Sequence, residues 1–198
     1  MADTGKKRPV EILTADEVRQ LLAQCSRRAS TGIRDRALIT LMYRTGLRVS
    51  EALDLRPADV DRERGSVRVL HGKGDKARTV GIDDGALAVL EVWLAERKRL
   101  GINGGRSKLF CTLSGGPLSA DQVRQMVRRR AAKAGLEKRV HPHGLRHANA
   151  AEMMAEGTPV NVIQAHLGHT SLSTTSTYLA HIAPKEVVDA GRARTWQE

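Results

Sequence analysis

The sequence predicts a mainly α-helical fold with one small β-hairpin, an α+β arrangement. Three observations carry that expectation. Apolar residues recur at three- and four-residue spacing through most of the chain. Capping-box signatures precede two of those stretches. A single segment, SVRVLHGKGDKARTVGI, instead alternates apolar and polar residues on both sides of a glycine-rich turn.

Residues 1–12 read as a basic, mobile tail. Thr14 opens a helix: in TADE, Glu17 lies three residues on, and Val18, Leu21, Leu22 and Cys25 follow at helical spacing. A second helix runs through RDRALITLMYRTG and stops at Gly46. A third begins near Leu47 in LRVSEALDL, where Arg48 and Glu51, three apart, share a face. Val67 and Val69, then Val80 and Ile82, frame the hairpin, with GKGD at its tip. DDGALAVLEVWLAERKRL is helical again, and KLFCTL is a short candidate strand. LSADQVRQMVRRRAAKAG is an amphipathic basic helix capped by Ser119, with Gln122 three residues on. HGLRHANAAEMMAEG is a helix closed by Gly157. VNVIQAHLG and TTSTYLAHI are two shorter ones, and PKEVVDAGRA is a candidate last helix.

The 198 residues suffice for one large domain or two small ones. Aromatics make up only 3%, so aliphatic side chains must fill the core. The 33 Lys+Arg against 22 Asp+Glu leave a net charge of +11, which points to a polyanionic partner, most simply nucleic acid. Cys25 and Cys111 form neither a metal-ligand spacing nor a disulfide framework, which fits a reducing compartment. No run of eighteen apolar residues exists, and MADTGKKRPVEIL lacks a signal-peptide core. The expectation is a soluble protein of the cytoplasm, or one associated with the nucleoid, with no membrane partner.

One chemistry explains the order of several residues. Tyr178, in STTSTYLAH, is one of two tyrosines; the other, Tyr43, lies in the apolar run LITLMY and reads as core. A phenol attacks a phosphodiester only where cations hold the non-bridging oxygens and a donor protonates the leaving oxygen. Arg48 and Arg146 offer planar, bidentate guanidinium groups for those oxygens. Lys73, at the hairpin tip, is either a solvated turn residue or a mobile proton donor to the departing 5′ oxygen, with Lys76 its rival. His143 and Arg146 are three apart on one helical face and can meet a single phosphate. His169 follows the LGH turn, as a loop residue or a phosphate hydrogen-bond donor. Glu51 either orients Arg48 or a histidine or is a solvated glutamate. His141, His143 and His147 lack zinc-type ligand spacing, so no metal is expected. The run VRRRAAK, with Arg128, Arg129, Arg130 and Lys133, and the hairpin residues Lys76 and Arg78 are candidate DNA contacts.

At these residues the chain resembles the tyrosine recombinases, the phage-integrase superfamily. GLRVSEAL, GKGDKAR, HGLRHANA and VIQAHLGHTSLSTTSTY occur in the family's order, across roughly residues 13–185. The resemblance implies the tyrosine recombinase catalytic-domain fold and a catalytic set of Arg48, Lys73, His143, Arg146, His169 and Tyr178, with Glu51 accompanying the first arginine. It implies double-stranded DNA as substrate, cleaved to a 3′-phosphotyrosine and a free 5′ hydroxyl that a partner strand's hydroxyl replaces. The bond energy stays in the phosphotyrosine, so no ATP, cofactor or metal is needed. The activity would serve integration, excision or inversion in the cytoplasm of a bacterium or phage-infected host. The assembly would be a homotetramer on DNA formed from free monomers.

The expected organisation is the tail at 1–12, a catalytic domain at 13–183, and a C-terminal segment at 184–198 that docks on a neighbouring protomer. The chain begins almost directly at the catalytic domain, without the N-terminal core-binding domain of most relatives; it is a short form like the fimbrial-switch invertases, or a fragment. Two rivals stand beside the recombinase: a type IB topoisomerase-like nicking-closing enzyme, and a non-catalytic DNA-binding module on the same scaffold.

Overall fold

The computed structural model describes residues 11–70, 77–104, 107–168 and 192. The order of elements is α1 (Ala15–Ala23), α2 (Ser30–Thr45), α3 (Val49–Asp54), a 3-10 turn (Pro57–Asp59), β1 (Val60–Asp61), β2 (Ser66–Val69), β3 (Arg78–Gly81), α4 (Asp84–Arg99), α5 (Ala120–Lys133), α6 (Pro142–Ala155) and α7 (Val160–Leu167). This is the mainly helical fold with a small sheet that the sequence predicts.

Local chemistry sets the helix starts. Glu17 N–H donates to Thr14 Oγ1 at 3.2 Å, and Thr14 N–H donates to Glu17 Oε2 at 2.8 Å, closing the capping box of α1. Ser119 and Gln122 close the same box on α5 at 3.1 and 2.8 Å. Asp83 caps α4 by accepting from Ala86 N–H at 3.0 Å. Ile12, which the sequence places in the tail, is held in the fold. It packs against the core, and its carbonyl accepts from Lys138 Nζ at 3.0 Å.

Helix α2 is the spine. It begins at Ser30, four residues before the apolar pattern becomes legible at Arg34, and packs against both α4 and α6. Leu38, Ile39, Leu41 and Met42 are each at most 1% exposed. Burying one such side chain contributes about 1.5–3 kcal/mol. Tyr43 is 8% exposed and belongs to this core, as its apolar run predicts. A smaller core of Ala150, Ile163 and Leu167, with Met153 and Met154 against it, joins α6 to α7.

The hairpin forms in the predicted register, with Val67 opposite Val80; its tip, residues 71–76, lies outside the described residues. A third strand, β1, adds itself antiparallel to β2 with Val60 opposite Val67. It was illegible because two residues carry no period. KLFCTL is not a strand of this sheet. Leu109 N–H donates to Leu55 O at 2.7 Å and its carbonyl accepts from Trp93 Nε1 at 2.9 Å, so the segment is pinned as a bend. Only Cys111 bridges, to Pro117.

Candidate active site

The site is built around the junction of α2 and α3. Gly46 leaves α2 in the left-handed conformation, with φ of 61°. A Cβ there would lie 2.5 Å from Leu167 Cδ2 and 2.7 Å from Asn149 Oδ1, so the tight turn and the close approach of α6 and α7 both require glycine. Arg48 then takes an extended conformation as the N-cap of α3 rather than a place in its first turn.

Glu51 fixes Arg48. Its Oε2 accepts from the Arg48 backbone N–H at 2.8 Å, and its Oε1 accepts from Arg48 Nη1 at 2.7 Å. Arg78 of β3 completes the clasp: Nη1 donates to Oε1 and Nη2 to Oε2, each at 2.9 Å. The Glu51 side chain is only 2% exposed. Burial works to raise its pKa, but the bonds from Arg78 and Arg48 outweigh it and hold the carboxyl below its ordinary range. Glu51 is thus buried and bonded to Arg48 rather than solvated.

Arg78 is therefore not a free contact for DNA. Its guanidinium is spent on Glu51, and its Nε donates to His166 O at 3.2 Å. Arg130 is similarly committed, with Nη1 on Gln24 O at 2.8 Å and Nη2 on Asp35 at 2.9 Å. Arg128, Arg129 and Lys133 are exposed on α5. Lys73, Lys76, His169 and Tyr178 lie outside the described residues.

Arg146, on the second turn of α6, is 2% exposed. Its Nη1 donates to Gly46 O and its Nη2 to Leu167 O, both at 2.6 Å, which ties the ends of α2 and α7 to one guanidinium. His143 lies one turn earlier. Its ring stands edge-on to His147, with centroids 4.3 Å apart. Desolvation, followed by the charges of Arg146, His141 and Arg48, lowers its pKa.

These residues meet in one groove of about 570 Å³, lined by Leu47, Arg48, Val49, Ser50, Arg124, Arg128, Arg139, Val140, His141, Pro142, His143 and Arg146. No carboxylate is among them. The predicted trio Arg48, His143 and Arg146 comes together here with Arg128. Arg124 and Arg139 were missed by sequence reasoning. Arg124 carried a signal: it lies four residues before Arg128 and so on the same helical face. Arg139 carried none, because a connecting segment sets its position.

A helical domain that gathers guanidinium and imidazole groups from α3, α5 and α6 into one groove, with no carboxylate among its described lining residues, has the chemistry of a phosphodiester-binding site. The chain belongs to the phage integrase family, which residues 11–185 match. Among similar proteins, tyrosine recombinase XerC 2 of Ralstonia nicotianae is 40% identical over 87% of this chain and 50% of its own. Tyrosine recombinase XerD of Staphylococcus aureus is 35% identical over 92% of this chain and 61% of its own. This chain thus spans between half and about three-fifths of those relatives. The crystal structure of XerA recombinase superposes with a TM-score of 0.79 at 29% identity, covering 98% of this chain and 68% of that one. XerH site-specific recombinase, bound to its palindromic difH substrate after cleavage, gives 0.77 at 29%, covering 94% of this chain and 54% of that one.

Proposed function

We infer that this chain is the catalytic domain of a site-specific DNA recombinase, spanning residues 13–183, and that it cleaves and rejoins strands through a phosphotyrosine at Tyr178. The observation that carries this reading is the meeting of Arg48, His143 and Arg146 in one groove whose described lining is basic. The two guanidinium groups hold the non-bridging oxygens and stabilise the charge that builds on phosphorus as the fifth bond forms. The Tyr178 phenol gives its proton to a neighbouring base as its oxygen attacks, the bond from phosphorus to the 5′ oxygen breaks, and Lys73 supplies the proton that the 5′ oxygen takes up. His143 and His169 donate hydrogen bonds to the phosphate. A 5′ hydroxyl from the partner duplex then displaces the tyrosine, conserving the bond energy, so the cycle uses no nucleotide and no metal.

The partner is double-stranded DNA, approached through the exposed basic face of α5. Among the described residues no helix is long and apolar enough to cross a membrane. Work on the DNA of a bacterial or phage-infected cell, at the nucleoid, fits this chemistry. The chain acts as a homotetramer assembled on its site from free monomers, with residues 184–198 docking on a neighbouring protomer.

The test is a library of nicked duplexes with random sequence, offered to the full chain and recovered as denaturation-resistant protein–DNA adducts. Enrichment of one sequence supports the reading and yields the target. Strand exchange between two such duplexes, beyond resealing, separates a recombinase from a type IB topoisomerase. No adduct at any sequence contradicts it.

A further inference from the structure

His141 lines the groove beside Arg48 and His143. It is also the N-cap of α6. Gly144 N–H donates to its Nδ1 at 3.1 Å, so Nδ1 must present a lone pair rather than a proton. A neutral imidazole has one N–H; with Nδ1 accepting, that proton sits on Nε2. A second proton on Nδ1 would set two donors against each other and break the cap. Desolvation, together with the Arg139 charge, favours the neutral ring in the same direction. The ring stacks on His143 with an interplanar angle of 14° and centroids 6.4 Å apart, which fixes its plane. No described residue accepts from Nε2, and that atom is not among the buried polar atoms without a partner.

We propose that His141 is a further DNA-binding residue, whose cap-locked Nε2–H donates to a backbone phosphate oxygen in the groove. This rests on the reading of the groove as a DNA site. The helix cap and the phosphate contact use opposite edges of one ring, so folding α6 also sets the donor. The contact is a neutral one. It adds a hydrogen bond to an anionic oxygen but displaces no counterion, unlike the neighbouring arginines.

That difference gives the test. His141→Ser and His141→Asn each keep an oxygen for the Gly144 cap and remove the imidazole donor; His141→Ala removes both. Binding of the full chain to a mixed-sequence duplex is measured across a salt series, and thermal unfolding is measured in parallel. The expected result is an affinity loss of about tenfold for His141→Ser, with the slope of affinity against salt unchanged and the melting temperature close to the parent's. His141→Asn distinguishes a defect peculiar to serine and is expected to behave alike. His141→Ala alone is expected to melt lower. Parent-like affinity in the two capped variants would overturn the proposal, leaving His141 as a cap only. A salt slope lowered by about one would also overturn it, because the contact would then be a charged one. If the parent chain itself shows no salt-dependent binding, the DNA reading of the groove fails instead.

Discussion

Glu51 and Arg78 face each other across 27 residues of sequence, and each carboxylate oxygen accepts from one terminal nitrogen of the guanidinium at 2.9 Å. The same carboxylate also holds Arg48, which lines the groove. It anchors the first residue of β3 as well. One carboxylate thereby fixes an arginine of the groove and the start of β3.

Removing Arg78 leaves the buried Glu51 carboxylate with Arg48 as its remaining partner, which costs up to about 3–5 kcal/mol, the scale for breaking a buried pair. Arg78→Ala is expected to lower unfolding free energy on that scale in urea titrations. Arg78→Lys keeps the charge but not the fork, and is expected to recover only part of it. A loss below about 1 kcal/mol for Arg78→Ala would mean that the clasp is not formed in solution.

Stability is expected to fall in mild acid because of His166. Burial, with Arg78 and Arg146 nearby, lowers its pKa to about 4 from an ordinary 6.5. Between those values the unfolded chain takes up a proton that the folded chain refuses. Stability is therefore full above about pH 6.5 and drains away as pH falls towards 4, by up to about 3 kcal/mol. The lowered pKa values of His141 and His143 act in the same sense. Glu51 adds its own loss only lower, as pH falls below 4.5 through its depressed folded value. Chemical denaturation across this range, repeated on His166→Leu, is the check; an unchanged pH slope in the variant would remove His166 as the cause.

The arginines of α5 are expected to separate by role. Arg128→Ala removes an exposed groove charge, and should lower the salt slope of DNA affinity by about 0.9 with little change in stability. Arg130→Ala breaks bonds to Gln24 and Asp35, and should lower stability while leaving the slope nearly intact. Equal effects of the two on the slope would show that Arg130 leaves Asp35 to meet DNA.

Much of this was legible beforehand because it is local. Capping boxes, the hairpin alternation and the core face of α2 depend on residues a few positions apart. Arg48, His143 and Arg146 were legible through motif order. What sequence could not show was pairing over distance. Arg78 and Arg130 look like free cations in their own segments, and become fixed only when the fold brings Glu51 and Asp35 to them. The cap role of His141 was missed for another reason: a histidine accepting at Nδ1 resembles, in sequence, any histidine before a proline.

Gly46→Ala is expected to destabilise by about 1–3 kcal/mol, since the position combines a φ of 61° with contacts at 2.5 and 2.7 Å. The Gly46 carbonyl also accepts from Arg146. Adduct formation should therefore fall further than the lost stability explains, measured well below the melting temperature. Parent-like adduct rates in a destabilised variant would show that Arg146 does not depend on this turn.

The central claim is that Tyr178 is the nucleophile of this groove. The direct measurement is the covalent adduct on a nicked target duplex, compared between the parent, Tyr178→Phe and Tyr43→Phe. Tyr43 is buried in the core, and burial and the adjacent Glu152 push its pKa well above the ordinary tyrosine value, so it is poorly placed to attack. The account predicts adduct in the parent and in Tyr43→Phe. In Tyr178→Phe it predicts none, with duplex binding retained. Adduct persisting in Tyr178→Phe, or mapping to any other residue, would contradict it.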